Sequence, residues 1–273
     1  LHNKEGNNFT DAMINHLEKE QIINNKKNTI MNDKNLEYLK SNLKYQGFGE
    51  KLNAELETNM KQGLPEFQLK IQTEYNKEKI EAVLHFKKSD QSDMYFFNRY
   101  DATLQKTNEE KLSQTFYLNK GNGVTIKEAY NLLNGRAINK ELTSIEGQKY
   151  SAWIQLDLKN KNEQGNYESK QFHKNYGFDL EQSLVKFPVK ELGITEDKEA
   201  LIKSLQKGNI QSVTFQLNGN EQKMFIEANP QFKTVNIYDK DMKLMQHESL
   251  KKDQPVAQTI GQEKQQEPKQ ETK

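Results

Sequence analysis

Phe67-Gln68-Leu69-Lys70-Ile71 and Ile80-Glu81-Ala82-Val83-Leu84-His85-Phe86 are the two runs that decide the fold class of this chain. In both, apolar residues recur at every second position, the period of a strand with one buried face and one wet face. Asn76-Lys77 lies in the short connection between them, so the pair reads as a β-hairpin. Met94 to Leu104, rich in aromatics, reads as a third strand, and Leu112 to Leu118 as a fourth. The segment is a four-stranded antiparallel meander.

Upstream the period changes to that of a helix. Leu36, Leu39 and Leu43 form one apolar stripe, and Leu52, Leu56 and Met60 another. Gly47-Phe48-Gly49 separates them, and Gly63 and Pro65 close the unit, which reads as a helical hairpin. Downstream, Thr125 and Glu128 form a capping box ahead of Ala129, Leu132 and Leu133, with Gly135 as terminator. A loop is expected next. Then Ala152, Ile154, Leu156 and Leu158 alternate, and a partner strand follows near Tyr167–His173. Asp179 and Thr195 each stand where a helix N-cap belongs. Val213, Phe215 and Leu217 run into Asn218-Gly219, a strong hairpin signal, with return strands at Met224–Ile226 and Phe232–Tyr238.

The expected class is α+β: an N-terminal helical hairpin, then antiparallel sheets with short packed helices and a disordered C-terminal tail. The expected divisions are a leader at 1–30, the helical hairpin at 31–64, meander plus helix at 65–145, a second α+β segment at 146–246, and the tail at 247–273. The chain begins with Leu1, and Met31 opens a more ordered stretch. Residues 1–30 therefore read as an upstream extension, the rival being a weakly helical arm around Phe9, Ile14, Leu17 and Ile22. The tail is dominated by Gln, Lys, Glu and Pro and has too little apolar surface to fold.

Composition narrows the functional classes. Apolar residues make up 33% of the 273-residue chain, and amides are plentiful, with 29 Asn and 25 Gln. Such a chain builds a thin core and favours sheets with one wet face. Forty basic residues against 39 acidic ones leave a net charge of +1, so no global field draws it to DNA or to anionic lipid. The absence of cysteine excludes a disulfide framework, thiolate zinc sites and a Cys nucleophile. No stretch approaches the roughly 18–20 apolar residues of a membrane span.

No nucleotide, metalloprotease or nucleophile-elbow signature occurs. Gly121-Asn122-Gly123 precedes a helix, where a phosphate could sit, but it lacks the lysine and Ser/Thr of a P-loop and reads as a turn between strand and helix. None of His2, His16, His85, His173 and His247 is spaced with another as a metal pair, and no metal or cofactor is expected. His85 and His173 are possible general bases, with Asp93 and Asp101 as carboxylates for an unfamiliar enzymatic site. Asp90, Asp93 and Asp101 bracket the strand Tyr95-Phe96-Phe97-Asn98-Arg99-Tyr100, yet their spacing matches no cation loop. Alternation places Tyr95, Phe97 and Arg99 on one face of that strand, with Lys87 and Lys88 nearby. Exposed aromatics and cations on a sheet can bind nucleic acid, and the competing reading is that one face is simply core.

Several longer phrases carry a resemblance. They are Tyr45-Gln46-Gly47-Phe48-Gly49-Glu50, Ser92-Asp93-Met94-Tyr95-Phe96-Phe97-Asn98, Lys127 through Arg136, Tyr150-Ser151-Ala152-Trp153, Asn175-Tyr176-Gly177-Phe178-Asp179-Leu180 and Glu227-Ala228-Asn229-Pro230-Gln231-Phe232-Lys233. From about Met31 to His247 the chain resembles a family of uncharacterised proteins from conjugative transposons and plasmids of Bacteroidetes. The resemblance implies a cytoplasmic accessory protein of a mobile genetic element. It assigns no catalytic residue and no cofactor. The expected function is non-enzymatic binding of nucleic acid or of a DNA-processing protein, with no membrane partner. The alternatives are an enzyme with an unrecognised carboxylate/histidine site and an adaptor acting through the helical hairpin.

Overall fold

The computed structural model describes residues 32–118, 123–144 and 146–250. The leader, Met31, Gly121, Asn122 and the chain beyond 250 lie outside the described residues. Within them are five α-helices and ten strands in three antiparallel sheets, so the mixed class expected from periodicity is the observed one.

Helix α1 (Asp33–Tyr45) starts at Asn32, whose side chain accepts from the Asn35 amide at 3.0 Å. Its leucines 36, 39 and 43 are buried. Helix α2 (Asn53–Gln62) buries Leu56 and Met60 and ends at Gly63 with a left-handed φ of 68°. Both helices cover the sheet formed by β1 (Glu66–Tyr75), β2 (Glu78–Lys88), β3 (Tyr95–Gln105) and β4 (Lys111–Tyr117), in that spatial order. Asn76 and Lys77, at φ 50° and 67°, make the tight β1–β2 turn. Positive φ at both central residues is what a two-residue hairpin demands, and here a lysine accepts it.

Asn35 ties helix to sheet. Its side-chain Nδ2 donates to the Tyr95 carbonyl at 3.0 Å, and its Oδ1 accepts from the Tyr95 amide at 2.7 Å. The amide thus pairs with β3 as a short extra strand would. It anchors the start of β3 with Tyr95 pointing inward.

Helix α3 (Ile126–Leu133) lies on the same side. Thr125 accepts from the Glu128 amide, while Glu128 accepts from the Thr125 amide at 2.9 Å. Glu128 is buried and is paired with Lys140 at 3.1 Å. Thr125→Ala should cost about 1 kcal/mol in chemical denaturation, the usual value of a lost cap. An unchanged midpoint would show that Lys140 alone holds Glu128.

The stretch expected to be a loop after Gly135 contains strand β5 (Ile138–Thr143), which pairs with β6 (Lys149–Lys161). Its short and largely polar sequence carries no alternation, and the pairing supplies the order. Strand β7 (Tyr167–His173) completes this sheet. It stands between two cores. Ile154, Leu156 and Tyr167 join the first core, whereas Trp153 and Phe172 join the second.

The second core gathers α4 (Leu180–Leu184), α5 (Thr195–Gln206) and the sheet β10-β9-β8, formed by β8 (Gln211–Leu217), β9 (Asn220–Asn229) and β10 (Thr234–Tyr238). Asp179 caps α4, accepting from the Gln182 amide at 3.0 Å. Thr195 does not cap α5. Ile194 is the N-cap residue, without a side-chain bond, and Thr195 is already helical. Phe232 lies in a short 3-10 turn rather than in β10. Residues 247–250, expected in the tail, belong to the folded body. His247 meets the Phe187 ring edge to face, and Leu250 is buried in the second core.

Buried tyrosines make the fold sensitive to alkali. Tyr100 is fully buried and donates to the Val124 carbonyl at 2.6 Å. Burial first, then the charge of Glu128, pushes its ionisation well above the ordinary 10.0. The unfolded phenol releases its proton near pH 10, while the folded one keeps it. Above that pH the unfolded state binds fewer protons, so stability present below pH 10 falls as pH rises. Loss of circular dichroism should therefore accompany the 295 nm absorbance rise above pH 10. Complete ionisation with the fold intact would contradict this.

Candidate functional site

Strand register aligns one row of side chains across the open face of the first sheet. Gln68 pairs with His85, His85 with Arg99 and Arg99 with Tyr117. A neighbouring row runs from Glu66 through Lys87 to Phe96. Between the rows lies a groove of about 610 Å³, lined by Gln68, His85, Lys87, Asn98, Arg99 and Tyr117 among others.

A β-bulge produces this face. His85 pairs with Arg99 but Phe86 pairs with Phe97, so Asn98 is an extra residue in β3. The alternation inverts there. Tyr95 and Phe97 are 2% and 5% exposed and face the core, as do Tyr100 and Ala102 beyond the bulge. Arg99 faces out. The expected grouping of Tyr95, Phe97 and Arg99 on one face is therefore corrected: the two rings have no free face on which a base could stack. The outward rings are Phe96, 43% exposed, and Tyr117, 67% exposed. Tyr117 sits on the polar parity of β4, opposite to Leu112 and Phe116. That parity was the signal available in the sequence.

Of the expected cations, Lys87 and Arg99 lie on the groove, and neither has a partner among the described residues. The side-chain amide of Asn98 is likewise unpaired. Lys88 is engaged elsewhere, 3.1 Å from Asp93. Three uncommitted donors beside two exposed rings make a surface suited to a flexible, anionic, ring-bearing ligand.

His85 and Asp101 do come together. The ring Nε2 lies 2.6 Å from Asp101 Oδ2, and Thr115 Oγ1 donates to Asp101 Oδ1 at 2.7 Å. Gln68 Nε2 lies 3.3 Å from His85 Nδ1. With the Gln68 amide donating to Nδ1, the ring proton sits on Nε2 and goes to Asp101. Among the described residues, the hydroxyl bonded to this pair is that of Thr115, and it meets the carboxylate and not the ring. This order differs from a nucleophile–base–acid relay, in which the hydroxyl meets the imidazole. Asp93 and His173 are remote from the pair. Asp93 holds Lys88, and His173 packs its ring 5.3 Å from that of Tyr150 on the middle sheet. Among the described residues no group of three or more His, Asp or Glu side chains could hold a metal ion. None of the described helices is long and apolar enough to cross a membrane.

The leucine stripes considered for adaptor docking are inside the first core, with Leu36, Leu39, Leu52 and Leu56 at 5% exposure or less. That apolar face is already covered by the sheet of the same chain. No protein-family model matches this chain, and no curated protein and no solved structure matches it.

Proposed function

We propose that this chain is a non-enzymatic binding protein that takes single-stranded nucleic acid across the open face of its four-stranded sheet, as a cytoplasmic accessory of a mobile genetic element. The observation that carries the binding reading is the groove in which Arg99, Lys87 and Asn98 have no side-chain partner among the described residues and lie beside the exposed ring of Tyr117, with Phe96 exposed next to Lys87 on the neighbouring strand. The mobile-element role rests on the family resemblance, which also implies a DNA-processing protein of the same element as a further partner. Stacking on two rings supplies sequence-tolerant affinity, and the cations neutralise phosphates. The net charge of +1 provides no long-range attraction, so the rings carry most of the affinity.

Fluorescence anisotropy with a labelled single-stranded oligonucleotide tests this at several salt concentrations. Two phosphate contacts predict a log–log salt slope of roughly −1.4, at about 0.7 per contact on a single strand. Tyr117→Ala should weaken binding by about 1–3 kcal/mol without changing the slope. Arg99→Ala should flatten the slope by about 0.7. Absence of salt-sensitive binding at low salt removes the proposal.

The 2.6 Å contact between His85 and Asp101 favours a second reading, proton transfer at the groove. Electrophoresis of the oligonucleotide after incubation separates the two. Unchanged strand length supports binding alone. Shortening that disappears in His85→Ala assigns the site to catalysis.

A further inference from the structure

A second cluster lies away from the groove, where α3 begins and β1 ends. The Lys127 ammonium stands 4.0 Å from the centre of the Tyr75 ring and 4.5 Å from that of Tyr130. The Arg136 guanidinium stands 5.2 Å from the same Tyr130 ring. The two cations thus share a ring, and neither makes an ion pair among the described residues. Lys127 also occupies the first turn of α3, where the helix dipole disfavours positive charge. Burial, and then Arg136, pull its pKa down to about 8.

The carboxylate that reaches this ring is already engaged. Glu78 accepts from Tyr130 Oη at 2.9 Å and from Asn134 Nδ2 at 3.2 Å. Arg136 donates from a terminal nitrogen to Asn131 Oδ1 at 2.7 Å, and its Nε is buried without an acceptor. Two cations are therefore held by aromatic packing, against their mutual repulsion, with donors left over and no carboxylate within ion-pair distance among the described residues.

We propose that Lys127 and Arg136 form a binding site for a small oxyanion of the phosphate or carboxylate class, beside the Tyr130 ring. An anion there offsets the repulsion and accepts charge-assisted hydrogen bonds from groups already ordered by the rings. The site is independent of the open-face groove.

The test uses the full chain, with inorganic phosphate and acetate as separate arms at constant ionic strength. The Lys127 side-chain methylene resonances are followed by NMR across pH. Binding should shift these resonances saturably and raise the Lys127 pKa, because an anion favours the ammonium form. Lys127→Gln and Arg136→Gln should each weaken binding by about tenfold or more, the loss of one charge-assisted contact. Saturation by phosphate alone assigns the phosphate class, and saturation by acetate alone the carboxylate class. Identical Lys127 titration with and without both anions overturns the proposal, as does wild-type affinity in both variants. Should a variant fail to fold, the wild-type titration decides. Arg99→Ala, which removes a phosphate-binding cation of the groove, should leave phosphate binding at Lys127 unchanged, so the two proposals fail separately.

Discussion

Gly208→Ala should destabilise the folded chain by about 2–4 kcal/mol, whereas Gly219→Ala should cost only about 1–2 kcal/mol. Both glycines have φ +77°, so the intrinsic penalty of placing an L-residue there is the same. Their surroundings differ. A Cβ at Gly219 meets nothing within 4 Å, but one at Gly208 stands 2.8 Å from the Ala137 carbonyl oxygen and 2.9 Å from Ile138 Cγ2. A backbone oxygen cannot step aside as a side-chain tip can. The clash also falls on the junction between the two cores. There Asn131 Nδ2 donates to the Lys207 carbonyl at 2.6 Å and to Asn209 Oδ1 at 2.9 Å. Separation of α5 from α3 would leave those groups unpaired. Guanidinium unfolding of both variants isolates the contact, since the backbone strain cancels in the comparison. Equal losses would show that the close approach contributes nothing.

Phe97→Ala should cost about 3–5 kcal/mol, while the adjacent Phe96→Ala stays within about 0.5 kcal/mol. Phe97 is 5% exposed, stacked 5.0 Å from Phe86 and set edge-on to Phe48 at 5.9 Å. Its truncation leaves a cavity among rings that cannot collapse into it. Phe96 points to the open face. Its truncation should instead weaken oligonucleotide binding by about 1–3 kcal/mol. This exchange of effects between neighbouring residues follows from the bulge at Asn98. Were Phe96 the destabilising position, the inward phase of β3 would be wrong and the groove with it.

The same strand shows how far the site was legible in sequence. Lys87 and Arg99 are legible as cations beside an aromatic run. Strict alternation places Tyr95 and Phe97 with Arg99, but Asn98 breaks the alternation. With rings on both parities, hydrophobicity offers no phase. Asn35, sixty residues away, supplies that phase by pairing with the Tyr95 backbone. Tyr117 is marked in the sequence only as an aromatic on the polar parity of β4. His85 and Asp101 stand sixteen residues apart in the sequence, and only β2–β3 register brings them to 2.6 Å.

Local elements are legible in the chain wherever periodicity and turn chemistry agree. The hairpins at Asn76-Lys77 and Asn218-Gly219 are of this kind, as are the helix capped by Thr125 and the leucine stripes of α1 and α2. These features depend on residues close in the chain, where side-chain period and backbone φ act directly. Long-range contacts make β5 a strand, let the middle sheet serve two cores, make Gly208 a contact point and, through the bulge, turn Arg99 outward beside Tyr117. Each depends on a partner distant in sequence, whose backbone hydrogen bonds or packing volume leave no local pattern to read.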